Sequence, residues 1–183
     1  MNYLEVLGYG KIAIIAIYFL TNLALLAALS VYDYKHLMLS KPLFYTYIPI
    51  SLLSIYPNLL LNHMNIANVL ILSVLGALIS YGAFFLVAML SKGKLGGGDV
   101  KLIPFVAFSF GPYFQTVMLF MAIGLAFIFI AALFYNIYQS SKGVRKEEYK
   151  KHKINGPYPA IPFMCFGCTV TFILLILKIF GIY

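Results

Sequence analysis

The apolar positions of this chain fall in long, nearly unbroken runs, and its polar positions are confined to short stretches between them. A transmembrane helix needs about 20 predominantly apolar residues. Ile12 to Val31 supplies the first, with Thr21 and Asn22 near its middle as polar helix–helix contacts. Leu43 to Leu61 supplies the second, with Pro49 placed to kink it and Pro57 to end its regular part early. Ala67 to Leu90 is the third, and Gly76 and Gly82 would let neighbouring helices approach. Val100 to Tyr138 is apolar over about twice one span. Gly111-Pro112 is its one strong breaker, which predicts a short fourth helix and a long fifth. At about 12 residues the fourth would be about 18 Å long, too short for a full span. Either that helix is incomplete or the loop before it dips into the bilayer. Non-helical backbone at that depth is tolerated where it is buried in protein or lines a wet cavity. The last run, Pro159 to Tyr183, opens with prolines suited to a helix start. The pattern therefore predicts an all-α integral membrane protein, one polytopic domain over residues 1–183 with six transmembrane helices.

Composition agrees and narrows the class. The chain is 63% hydrophobic, with a mean hydropathy of +0.95 and 10% charged residues. Soluble domains carry about 25% charged residues, so no soluble reading survives. Met1 to Gly10 lacks a basic region, and no small-residue cleavage site follows the first run, so that run is expected to be retained as a span.

The formal charge of +8 does not point to nucleic acid, because the basic residues sit in links between apolar runs. The links after spans one, three and five hold 11 of the 13 Lys and Arg residues: Lys35, Lys41, Lys92, Lys94, Lys101, Lys142, Arg145, Lys146, Lys150, Lys151 and Lys153. The other two links hold none. Basic links stay inside, so both termini are expected outside. The long polar segment 139–158 is expected to be a cytoplasmic loop near anionic lipid. His63 reads as a polar loop residue. Cys165 and Cys168 form a C-x-x-C without a second pair or a nearby His, and they read as packing residues. No cluster of metal ligands is visible, and neither metal nor cofactor is expected.

The candidate chemistry lies in Gly96-Gly97-Gly98-Asp99-Val100-Lys101. Three glycines strip side chains from a short piece of backbone, which lets another chain approach and opens φ values that other residues avoid. Taken alone, the stretch reads equally well as a flexible turn ending in an Asp cap. The distribution of aspartates changes this. The chain has two, Asp33 and Asp99, both at boundaries of apolar runs. The charge asymmetry puts both on one face of the membrane. An ionisable group beside hydrocarbon is expensive and points to function. Two carboxylates sharing a site split their pKa values, so that one acts as general base on water and the other as general acid.

Gly96-x-Gly98-Asp99 fits the GxGD signature of membrane aspartyl proteases. With Asp33 about one span earlier, six spans, and Ile161-Pro162-Phe163 late in the chain, the sequence resembles type IV prepilin peptidases. It is most similar to the compact archaeal prepilin and preflagellin peptidases. The resemblance implies that Asp33 and Asp99 are catalytic, and the side-chain-free Gly96, Gly97 and Gly98 would let the substrate backbone lie extended beside Asp99. It implies cleavage of class III signal peptides, of type IV pilin-like or archaeal flagellin precursors, at the cytoplasmic border of the cell membrane. The added cytoplasmic domain with paired cysteines found in many bacterial members is absent, so no methyltransferase activity is expected. Leu39-Ser40-Lys41-Pro42-Leu43 matches the family only loosely and receives no role. Glu147 and Glu148, the other acids of the inner links, are candidates to guide a basic substrate n-region. Two other readings remain open: a presenilin-like intramembrane protease, suggested by Tyr32-Asp33, and a small channel or transporter with the glycines as a binding loop.

Overall fold

Prolines and glycines cut the apolar sequence into its elements. The computed structural model describes residues 3–36, 39–62, 64–90, 97–141 and 161–180. They form seven α-helices: α1 (Tyr3–His36), α2 (Lys41–Leu52), α3 (Ile55–Asn62), α4 (Ile66–Leu90), α5 (Gly97–Phe110), α6 (Phe114–Ser141) and α7 (Ile161–Ile179). A 3-10 turn, Gly111–Tyr113, separates α5 from α6. Among the described residues, five stretches are long and apolar enough to cross a membrane: Gly10–His36, Lys41–Asn62, Ile66–Leu90, Gly97–Gly124 and Ile161–Ile179. Exposed Leu, Ile, Val, Phe and Tyr side chains cover the outside of the bundle, as on α4 at Leu70, Ile71, Leu75, Leu78 and Ile79. That apolar exterior suits a lipid surround.

The second run breaks where its prolines require it. Pro57 has no N–H to offer the carbonyl of Leu53, and its ring crowds that carbonyl. The helix accordingly stops at Leu52 and restarts at Ile55. Across the gap, Ser54 N–H donates to Ser51 O at 3.2 Å, and Asn58 N–H resumes the helical pattern to Ser54 O at 3.0 Å. Pro49, by contrast, is carried inside α2.

Helix α5 uses that gap. It ends at Phe110, and a helix end leaves carbonyls without intrahelical donors. Ser54 Oγ donates to Phe108 O at 3.3 Å, and Asn58 Nδ2 donates to Ser109 O at 3.1 Å. Tyr47 OH donates to Asn22 Oδ1 at 2.9 Å and lies 3.4 Å from Ser109 Oγ, tying α1, α2 and α5 together. Asn22 thus is an interhelical contact, whereas the exposed Thr21 hydroxyl turns back to Ile17 O in its own helix.

The chain reverses at Gly111–Tyr113. Helix α5 runs alongside α2, with Gly98 against Leu39 and Phe105 stacked edge-on to Phe44 at 5.7 Å. Helix α6 runs back along α7: Tyr113 meets Lys178, a Cβ on Gly167 would touch Met121, and one on Gly124 would touch Phe163. Gly111 makes the turn at φ +50, and a Cβ there would stand 2.9 Å from Ser73 Oγ. Gly76 also permits a close crossing, since its Cβ would lie 2.7 Å from the Phe114 ring. Gly82 does not, having nothing within 4 Å. Cys168 is fully buried in the core and Cys165 is partly exposed; both are free thiols.

Candidate active site

Asp33 lies on helix rather than in a link. Helix α1 continues past Val31 to His36, with Lys35 and His36 in its last turn. Cations there complement the negative end of the helix dipole, and the Tyr32 and His36 rings, one turn apart, pack at 4.5 Å. The extension carries Asp33 to the start of α7. There the backbone N–H of Ile161 donates to the Asp33 carboxylate. The first turn of a helix has N–H groups with no internal acceptor, and Pro162 contributes none. Asp33 is only 4% exposed, and among the described residues its Oδ2 is buried without a hydrogen-bond partner.

Asp99 lies in the first turn of α5, where an acid is favoured by the dipole, and it too is 4% exposed. Its place is fixed by the residue before it. A Cβ on Gly98 would sit 2.7 Å from Leu39 Cβ, so the α1–α2 link packs directly on the α5 backbone. Gly97 is exposed with nothing within 4 Å of a Cβ built there. The two glycines therefore differ: Gly98 admits a neighbour from this chain, and no described residue comes within 4 Å of a Cβ at Gly97 beside Asp99.

The ends of α1 and the starts of α2, α5 and α7 thus meet at one end of the bundle, and both aspartates are buried there. Lys35, Lys41 and Lys101 are exposed around the same end. Gly96, His63, Glu147 and Glu148 lie outside the described residues. Leu39 and the Ile161 N–H were not legible as parts of the site. Leu39 carries no chemical signal in sequence, and a backbone donor is marked only indirectly, by the prolines that place a helix start at 159–162.

The fold and these two carboxyls define a multi-pass helical membrane protein with buried acids at one end of its bundle. The sequence model of the type IV leader peptidase family matches residues 20–138, which include both aspartates and the glycine stretch. The chain belongs to the type IV leader peptidase family and is thereby a peptidase, of a family whose membership implies processing of pilin-like precursors in general. No curated protein and no solved structure gives a significant match.

Proposed function

We propose that the chain is a membrane aspartyl endopeptidase that removes class III signal peptides from type IV pilin-like or archaeal flagellin-like precursors, with Asp33 and Asp99 as its catalytic pair. The observation that carries this reading is that the chain's two aspartates, far apart in sequence, are both buried at one end of the bundle inside the family-matched segment. Two desolvated carboxyls that share a site do not both ionise cheaply, so the proposed pair holds one proton between them. The unpartnered Asp33 Oδ2 is an acceptor suited to that shared proton or to the attacking water.

The charged member takes a proton from water as its oxygen attacks the scissile carbonyl. The protonated member hydrogen-bonds the carbonyl oxygen and then helps protonate the leaving amine. The substrate backbone lies extended over Gly97, next to Asp99. The chain reversal at Gly111–Tyr113 supports counting Gly97–Gly124 as parts of two passes and so six spans, and the basic links support both termini outside with the aspartates at the cytoplasmic border. Glu147 and Glu148 are proposed to draw in the basic segment of the signal peptide.

The test is incubation of purified protein with membranes carrying a pilin-like precursor whose signal peptide is intact. A shift to the mature mobility, with the new N-terminus at the border of the hydrophobic segment, is expected. No cleavage, together with solute flux through liposomes, would favour a channel instead.

A further inference from the structure

We propose that the chain holds one anionic phospholipid in a cavity between α6 and α7, at the end of the bundle opposite the aspartates, with the lipid phosphodiester on Lys178. The cavity has a volume of about 320 Å³ and is lined by Tyr113, Thr116, Thr171, Leu174, Leu175 and Lys178. That volume is about ten times one water's share of the liquid and falls at the lower end of ligand-site volumes.

The cation is held in place at this cavity. Lys178 Nζ donates to Tyr113 OH at 3.2 Å and lies 5.3 Å from the centre of that ring. Tyr113 OH in turn donates to Asn62 Oδ1 at 2.7 Å, which anchors the pair to α3. The tyrosine proton is thereby committed, and its oxygen serves the ammonium. An ammonium has three protons, and a carboxylate is not among the described partners of this one.

The remaining wall sorts by polarity. The Thr171 hydroxyl donates inward to Gly167 O at 2.8 Å, leaving only acceptor capacity. Thr116 has no described hydrogen bond and offers a second donor to an anion. Leu174 and Leu175 supply apolar surface for the start of an acyl chain. A positive, partly satisfied donor set beside leucines, between two membrane-length helices, matches a phosphodiester attached to hydrocarbon better than a free anion. A lipid with net negative charge is required, because the choline cation of a zwitterionic lipid would oppose Lys178.

The experiment is native mass spectrometry of the full chain in neutral detergent, titrated with phosphatidylglycerol or phosphatidylcholine. The first phosphatidylglycerol is expected to bind about tenfold more tightly than phosphatidylcholine, a difference of about 1.4 kcal/mol. Lys178→Gln should abolish the preference, Lys178→Arg should retain it, and Thr116→Val should weaken it. Lys11→Gln changes an exposed lysine at the same end of α1 and should leave it intact. Unchanged preference in Lys178→Gln with wild-type helicity, equal loss in Lys11→Gln, or displacement of the lipid by an equal concentration of inorganic phosphate would overturn the proposal.

Discussion

Asp33→Asn keeps the size of the side chain and its ability to accept from the Ile161 N–H, but it removes the carboxylate. Asp99→Asn does the same in the first turn of α5. Each should lower precursor cleavage by about 10²–10⁴-fold or more, the usual worth of general acid–base catalysis. The measurement is the precursor mobility shift, scored on protein that inserts normally; wild-type cleavage by either variant would end the aspartyl reading. Asp→Glu should also be crippled, since displacement of a catalytic group by about 1 Å can cost about 10²-fold. The glycines separate into two experiments. Gly98→Ala puts a Cβ 2.7 Å from Leu39 Cβ, where no flexible end can yield. It should cost about 1–3 kcal/mol of stability as overpacking, read as a lower unfolding temperature, and Leu39→Ala in the same chain should recover part of it. Gly97→Ala meets nothing within 4 Å, so its unfolding temperature should match the wild type. A raised KM in that variant would then report substrate passing over residue 97. At this scale the sequence displayed the two acids, because ionisable groups beside hydrocarbon are conspicuous. It did not display Leu39 or the Ile161 N–H, because an ordinary leucine and a backbone donor acquire meaning only through what they touch.

At the scale of the elements, a short helix is held by side chains from a broken one. The α5 carbonyls of Phe108 and Ser109 would lack donors if α2 continued straight through Leu53 and Ser54. Pro57 opens that gap, and Ser54 and Asn58 fill it. Asn58→Ala removes the donor to Ser109 O and leaves a buried carbonyl unsatisfied, a loss of about 1–3 kcal/mol. Thermal unfolding in detergent should show it. Cleavage at low temperature should survive, because Asn58 lies away from the aspartate end; a folded Asn58→Ala protein without cleavage would mean that the break belongs to the active site. The breakers themselves were legible: Pro57 ends the regular part of the second run, Gly111-Pro112 divides the long run, and Pro162 lies in the first turn of the last helix. Two features were hidden. The helix extends through Asp33, with Lys35 and His36 in its last turn complementing the helix dipole and the Tyr32 and His36 rings packed one turn apart. Gly82 has the small side needed for a close crossing, yet among the described residues none comes within 4 Å of a Cβ there, since a small residue permits an approach without causing one.

The whole molecule is polarised in charge. Lys35, Lys41 and Lys101 are exposed at the aspartate end. Lys178 stands at the opposite end, against Tyr113. Basic links are retained on the cytoplasmic side, so the aspartate end should face inward, where precursors present the signal peptide before their hydrophobic segment is cut free. The test uses a chain in which Cys165 and Cys168 are replaced by Ala. Cysteines placed singly at Lys92 or Lys146 should then be shielded from an impermeant thiol reagent in intact cells and should label once the membrane is opened. One at His63 should label in intact cells. His63 and Lys92 flank the pass formed by α4, so their pattern fixes its direction and, through the short turns, that of its neighbours. The number of passes is read separately. If the chain reverses at Gly111–Tyr113, a cysteine at Tyr113 should behave as His63 does, and one at Lys146 as Lys92 does. Were Gly97–Gly124 instead a single uninterrupted pass, Lys146 would label from outside while Lys92 stayed shielded. A full inversion of the pattern would place both carboxyls on the outer face, away from newly made precursors, and would remove the proposed cleavage at the cytoplasmic border.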